Sequence, residues 1–166
     1  MSKTVALQKK AQETTHSRSL VKGLLAGLIG GLAATAAKRA TERIFPPRAH
    51  GEPEPPSVLV EKIFGRRLEG AQKLAAMESI HWGFGAATGA AYGALAEYYP
   101  AATAKDGAAF GMALTSLTRG IELPALGIEA ETQEQTFRER TSEMATHVVY
   151  GIVTETVRRV VRKMLR

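Results

Sequence analysis

Two histidines, His81 and His147, open similar motifs, and histidine is a residue type that could do chemistry. The stretches HWGFGAAT (residues 81–88) and HVVYGIVT (residues 147–154) share the pattern H-x2-[F/Y]-G-x2-T at an offset of 66 residues. Histidine gains and loses a proton near neutral pH. The repeat therefore indicates either a proton-responsive site or a hydrogen-bonding position that the fold uses twice.

Arginine and glutamate recur in the same way. At an offset of 80 residues, two segments share the pattern G-x3-G-x3-T-x3-R-x2-E. The aligned residues are Gly27, Gly31, Thr35, Arg39 and Glu42 in the first segment and Gly107, Gly111, Thr115, Arg119 and Glu122 in the second. Two repeats in the same order predict an internally duplicated helical hairpin.

Four helices that cross in alternation would bring these ionisable groups together, because helices one and three would end where helices two and four begin. The predicted layer comprises Arg39, Glu42, His81, Arg119, Glu122 and His147. We favour the interpretation that ion pairs and hydrogen bonds join helix ends there. The alternative is a proton-responsive or anion-binding vestibule. Glu155, with Arg158 and Arg159, is predicted to form surface pairs at the basic end of the last helix.

Glycines spaced four residues apart predict tight helix crossings. In a membrane such faces let helix backbones approach closely, since lipid removes the hydrophobic force between helices. The glycines that we assign to helix packing are Gly23, Gly27, Gly31, Gly85, Gly89, Gly93, Gly107, Gly111 and Gly151.

The composition favours a membrane protein without catalytic machinery. The chain has 166 residues, which indicates one domain, and only 6% of them are aromatic, too few large side chains for a soluble core. Its net charge of +6, concentrated at the termini, favours lipid headgroups over nucleic acid as partners. The chain contains no cysteine, P-loop, G-x-S-x-G or HExxH motif. We therefore predict no enzymatic activity, no metal and no cofactor.

Four apolar segments supply the helices. They are the uncharged runs 23–37, 79–96 and 107–118, and a fourth that begins at residue 144 and meets Glu155 after eleven residues. Residues 46–57 form a proline-rich linker that we expect not to be helical. Residues 58–77, with Ser57 as N-cap, are predicted to form one amphipathic helix in the membrane interface. The predicted organisation is a polar basic segment (1–19) and a single membrane domain (20–166), with repeat one at 20–99 and repeat two at 100–166.

The first segment also has features of a signal peptide, because basic residues precede it and Ala34-Thr35-Ala36 fits a cleavage site. The same glycine and threonine spacing recurs mid-chain at residues 107–115, where no leader lies. We therefore favour a membrane helix.

The stretches GLLAGLIGGLAATAAK, HWGFGAATGAAYG, GMALTSLTRGIELPALG and HVVYG resemble the YagU-type family of small bacterial inner-membrane proteins. The resemblance extends over roughly residues 20 to 160 and implies an integral inner-membrane protein. It implies no enzymatic activity, substrate or cofactor.

Together these features predict an all-α fold: a four-helix membrane bundle built from two similar hairpins, with one interfacial helix. The predicted location is the bacterial inner membrane, multi-pass, with cytoplasmic termini. Since no wide polar stripe runs through all four helices, as a pore would need, we favour a structural or assembly partner. Its glycine faces would dock on a second copy or another membrane protein. Two alternatives stay open: a proton-responsive or anion-linked transport unit, and a peripheral protein that binds membranes through amphipathic helices.

Overall fold

The computed structural model describes residues 18–47, 55–65, 68–118 and 136–165, and this part of the chain is helical with no strand. The all-α prediction is confirmed. The elements are α1 (Leu20–Ile44), α2 (Pro55–Phe64), α3 (Gly70–Tyr98), a 3-10 helix (Pro100–Gly107), α4 (Ala108–Leu117) and α5 (Phe137–Met164). Most of the predicted N-terminal segment, and both Arg119 and Glu122, lie outside the described residues.

Side-chain caps determine where two of the long helices begin. Before α1, the Ser19 hydroxyl accepts a hydrogen bond from the Lys22 N–H at 3.3 Å. Before α5, Thr136 and Glu139 form a capping box, in which each side chain satisfies a backbone N–H of the other. These caps fix the start of the two helices that make most of the interior.

The segment predicted as one interfacial helix, residues 58–77, is divided between two helices. The first ends at Phe64 and the second begins at Gly70, so residues 70–77 belong to α3, and both Gly65 and Gly70 have positive φ values, +63° and +51°. The prediction of a non-helical linker at 46–57 is wrong for residues 55–57, because α2 begins at Pro55, and residues 48–54 lie outside the described residues. Proline is tolerated in the first helical turn, where its missing N–H would have no partner. Ser57 therefore lies inside the first turn and is not the N-cap.

The third apolar segment forms only a short helix, α4, within the described residues. The backbone before it is left-handed at Lys105, Asp106 and Gly107, with φ values of 53°, 54° and 90°. This turn is a kink at the end of the 3-10 segment, immediately before α4 begins at Ala108. Ten residues of α-helix are about 15 Å long, roughly half the thickness of a bilayer core.

The long helices pack as a bundle in which α1 lies between α3 and α5, and α4 packs against α5. Helix α1 runs antiparallel to α3, since Gly23 lies opposite Gly93 and Gly31 lies opposite Gly85. Of the described helices, only α1 is both long and apolar enough to cross a membrane. The structure thus shows a helical bundle with one candidate span.

Large apolar side chains lie on the outside of the bundle. Leu25, Ile29 and Met112 are 47%, 44% and 50% exposed, and each of the five α-helices carries side chains of this kind. The buried side chains are mostly small or polar: besides glycines they are Ala26, Ala34, Val60, Tyr92, Leu114, Tyr150, Thr35, Thr115, Ser142, Thr146, His147, Thr154, Glu155 and Arg158. Among the described residues, large apolar side chains are therefore mostly exposed, and the buried apolar cluster is small, with Ala34, Leu114 and Tyr150 at its centre.

Candidate functional site

The glycine faces of α1 and α3 are in direct backbone contact. A Cβ atom added at Gly89 would lie 2.5 Å from the carbonyl oxygen of Gly27 and 2.5 Å from the Cα of Gly31. One added at Gly93 would lie 2.6 Å from the Cα of Gly27. These faces are occupied within the chain, so they hold the first hairpin together.

The second hairpin, α4 and α5, makes corresponding contacts. A Cβ at Gly151 would lie 2.7 Å from the backbone N of Gly111, and one at Gly111 would lie 2.8 Å from the carbonyl carbon of His147. Gly111 and Gly151 are the residues that align with Gly31 and Gly85 in the sequence repeat. The two hairpins therefore use aligned glycines in the same way.

One glycine outside the predicted set brings the hairpins together. A Cβ at Gly30 would lie 2.6 Å from the carbonyl oxygen of Thr154, so α1 crosses α5 closely there. The residue aligned with Gly30 in α4 is Phe110, whose ring stacks on Tyr92 with centroids 4.2 Å apart. The hairpins thus touch through their backbones where α1 crosses α5 and through stacked aromatic rings between α3 and α4. The double glycine Gly30-Gly31 was the available signal for this contact.

The buried face of α5, from Ser142 to Arg158, is made of polar residues and one glycine, and we name it the α5 polar face. Its members recur three or four residues apart and are all polar or glycine: Ser142, Thr146, His147, Tyr150, Gly151, Thr154, Glu155 and Arg158. The Tyr150 hydroxyl donates to the carbonyl oxygen of Gly85 at 2.6 Å and lies 2.8 Å from the Thr88 hydroxyl. This face therefore meets α3 through hydrogen bonds.

Four members of the predicted ionisable layer, Arg39, Glu42, His81 and His147, lie among the described residues; Arg119 and Glu122 do not, so the layer as a whole stays a prediction. Glu42 forms an ion pair with Lys38, four residues earlier on α1, and Arg39 pairs with Glu78 of α3. Trp82 also donates its indole N–H to Glu78 at 3.1 Å. Sequence reasoning missed Lys38 and Glu78, although the i, i+4 spacing of Lys38 and Glu42 was visible.

Lys38 and Glu42 each interact electrostatically with both predicted histidines. His147 is 9% exposed, and its Nδ1 lies 2.8 Å from the Glu143 carbonyl oxygen. Nδ1 must be the protonated nitrogen, because a carbonyl oxygen only accepts hydrogen bonds. The Nε2 atom of His81 is buried and has no hydrogen-bond partner among the described residues.

Glu155 lies inside the bundle, which corrects the prediction of a surface pair. Its side chain is 1% exposed and accepts hydrogen bonds from the Tyr92 hydroxyl at 2.8 Å and from Arg158 at 2.7 and 2.9 Å. Arg159 donates a further bond at 3.1 Å. The physical reason is the close packing of α5 on its neighbours. In the sequence repeat Glu155 aligns with Gly89, a glycine that lies in the packed contact of the first hairpin. The sequence signal was this alignment of a glutamate with a packing glycine.

A second ionic group closes the end of the bundle, beyond the uncharged run 79–96. Glu97 of α3 pairs with Arg162 of α5 and accepts the backbone N–H of Ser19 at 3.2 Å. Burial alone would raise the pKa of Glu97, but the hydrogen bonds from Arg162 and Ser19 outweigh it and hold this pKa below its ordinary value. Nearby, Arg159 donates to Asp106 at 2.8 Å.

A family model described as "Protein of unknown function (DUF1440)" matches residues 32–156, which is most of the chain. The chain belongs to this family. No curated protein and no solved structure matches this chain. The matched range of this DUF1440 member includes both histidines, Glu155 and the glycine contacts of the second hairpin. The likeness to YagU-type proteins stays a resemblance.

Proposed function

We propose that this protein is an integral membrane protein in which four helices form a bundle, and that its role is structural or in assembly within the inner membrane. The observation that carries the proposal is the distribution of side chains among the described residues. Most large apolar side chains face outward, while the interior is mainly glycine, threonine and the Glu155–Arg158 pair, with a small apolar core at Ala34, Leu114 and Tyr150. In lipid, exposed apolar side chains cost no free energy, and polar groups inside the bundle must form hydrogen bonds or ion pairs with one another.

The glycine faces contribute to this role within the chain. They bring α1 to α3 and α4 to α5, so a second copy or another membrane protein would meet the outer apolar surface. Residues Leu24, Leu25, Leu28 and Ile29 of α1 form part of that surface. Helix α4 is too short to span the membrane by itself, so its place in the membrane depends on its packing against the longer α5.

Carbonate extraction of membranes tests the placement. An integral protein stays with the membrane at high pH, whereas a peripheral protein bound by amphipathic helices is released. Recovery in the released fraction would contradict the proposal and favour the peripheral alternative. Co-purification in mild detergent, compared with a detergent-only control, then identifies the partner. A reporter fused after Arg166 tests the cytoplasmic location of the termini.

A proton-responsive layer is the second candidate, favoured by the buried Nε2 of His81 and by the electrostatic interaction of Lys38 and Glu42 with both histidines. Changing both histidines to glutamine keeps hydrogen bonding but removes titration near neutral pH. Under the structural proposal this double variant accumulates like the wild type at every pH. Glu42→Lys, which sets two cations side by side, then lowers accumulation more strongly. A pH-dependent phenotype lost only in the histidine variant would favour the second candidate.

A further inference from the structure

One end of the bundle brings together the start of α1, the end of α3, the 3-10 helix and the end of α5. Glu97 of α3 pairs with Arg162 of α5 and accepts the backbone N–H of Ser19, which precedes α1. Arg159 of α5 binds Asp106 of the 3-10 helix. We name this region the terminal end, and its described residues are 18–22, 97–107 and 155–165.

The acidic side chains of the terminal end are all bound by arginines of α5. Among the described residues they are Glu97, Asp106 and Glu155. Glu97 pairs with Arg162, Asp106 with Arg159, and Glu155 with both Arg158 and Arg159. The negative charge at this end is therefore already neutralised within the chain.

Four further cations at the terminal end have no ion pair among the described residues. Three of them are exposed and Lys22 is half-buried. Cations that the fold holds on one surface without acidic partners raise the local concentration of anions. The four residues are Arg18, Lys22, Lys105 and Lys163.

The terminal end lies at the boundary of the apolar part of the bundle. Lys22 immediately precedes the uncharged run of α1, and Glu97 immediately follows that of α3. A Cβ added at Gly23 would lie 2.5 Å from the Cγ atom of Glu97, so the two runs stop at the same level. Tyr98 and Tyr99 are 41% and 65% exposed there, and tyrosine favours the interface between lipid and water. In a bilayer, this is the level of the headgroup phosphates.

The opposite end of the bundle has no such surplus of positive charge. It comprises the end of α1, α2 and the starts of α3 and α5, which are joined by the Arg39–Glu78 pair and by a hydrogen bond from Ser142 to the carbonyl oxygen of Phe45. Its described charged residues are seven basic and six acidic ones, within 38–43, 61–65, 69–78 and 138–143. An anion that approaches this end therefore meets both signs of charge.

We infer that the terminal end binds the phosphate groups of anionic phospholipids of the phosphatidylglycerol class. The phosphodiester of such a lipid carries one negative charge, which the unpaired cations complement. Phosphatidylcholine carries a choline cation beside each phosphate, so the same cations favour it less. Binding of this kind holds the bundle at a fixed depth on the side of its termini. The inference rests on the proposed membrane placement.

Quenching of tryptophan fluorescence by brominated lipids tests the inference separately at each end. The only tryptophan, Trp82, lies at the opposite end beside Glu78, and the double variant Trp82→Phe, Tyr99→Trp moves the fluorophore to the terminal end. Each full-length protein is reconstituted into phosphatidylcholine vesicles with increasing shares of brominated phosphatidylglycerol, or of brominated phosphatidylcholine as the reference. The ratio of the two apparent binding constants is the local preference for the anionic lipid.

We expect a preference of at least about threefold at the Tyr99→Trp reporter and of about one at Trp82. Potassium chloride at about 0.5 M is expected to lower the preference at the terminal end, because salt screens exposed charges. The same preference at both reporters would overturn the inference.

Two triple variants in the Tyr99→Trp background assign the preference to particular cations. The first removes three unpaired cations of the terminal end and is expected to lower the preference there by at least about twofold. The matched control removes three exposed cations of the opposite end and is expected to leave the preference unchanged. The first variant combines Lys22→Gln, Lys105→Gln and Lys163→Gln, and the control combines Arg43→Gln, Lys62→Gln and Arg138→Gln.

Carbonate resistance is measured on the same samples. If the proteins resist carbonate and the preference at the terminal end is about one, the headgroup site is wrong and the membrane placement stands. An equal loss of preference in the two triple variants also overturns the site, because total charge then accounts for the binding. If carbonate releases the protein, the placement and the site fail together.

Discussion

At the scale of single residues, the glycines where α1 crosses α3 allow close packing, because a side chain there would clash with the backbone of the opposite helix. Gly89 faces the backbone of Gly27 and Gly31, while Gly83, six residues earlier on the same helix, has nothing within 4 Å of its missing Cβ. The two positions share a helix and a residue type and differ in contact. Substitutions at the two positions therefore distinguish the effect of a glycine on helix packing from its effect on helix propensity.

Gly89→Ala is expected to lower the free energy of unfolding by about 1–3 kcal/mol, because the methyl group forces two backbones apart. Gly83→Ala is expected to be neutral or to raise it by up to about 1 kcal/mol, since alanine favours the helix. Titration with a denaturing detergent in mixed micelles measures both variants. Equal effects at the two positions would contradict the packing that places α1 on α3.

The charged end of the bundle acts at the scale of helices, since Glu97 joins the start of α1 to the end of α5. The pKa of Glu97 is held below its ordinary value in the folded chain. Because the pKa of Glu97 is lower in the folded chain, its ionised carboxylate stabilises the fold. This contribution is complete at pH values above the ordinary glutamate pKa. The contribution is lost as the pH falls through the folded pKa.

We therefore expect the free energy of unfolding to decline in acid, and Glu97→Gln to reduce that decline. Measurement in detergent from about pH 7 to about pH 3 covers the range in which carboxylates titrate. Glu69→Gln, which removes an exposed carboxylate, should leave the decline unchanged. A decline of equal size in Glu97→Gln and the wild type would show that the link contributes nothing.

At the same scale, sequence periodicity predicted the long helices better than their connections. The all-helical class followed from the glycine and alanine spacing, and the Gly31–Gly85 and Gly111–Gly151 contacts lie at positions aligned by the repeat. The break at Gly65 was missed because the amphipathic pattern of 58–77 continues across it, and only the backbone conformation reveals the turn. The burial of Glu155 was missed because i, i+3 pairing looks the same on a surface and in a core.

At the scale of the whole molecule, the distinguishing feature is that large apolar side chains lie on the outer surface of the bundle. Each of the four helices α1, α3, α4 and α5 presents large apolar side chains outward, at Leu28, Phe84, Met112 and Ile152 respectively. If the bundle is embedded in lipid, these four positions contact acyl chains. In a peripheral or soluble bundle they contact water.

The chain has no cysteine, so a single cysteine can be placed at each of these positions without background. The most direct test is the reaction of Leu28→Cys, Phe84→Cys, Met112→Cys and Ile152→Cys with a charged maleimide, in membrane fragments open on both sides. The account predicts that all four thiols stay unlabelled until detergent is added, whereas Lys163→Cys, exposed at the end of α5, reacts at once. Prompt labelling of Phe84→Cys, Met112→Cys or Ile152→Cys in intact fragments would contradict a four-helix membrane bundle.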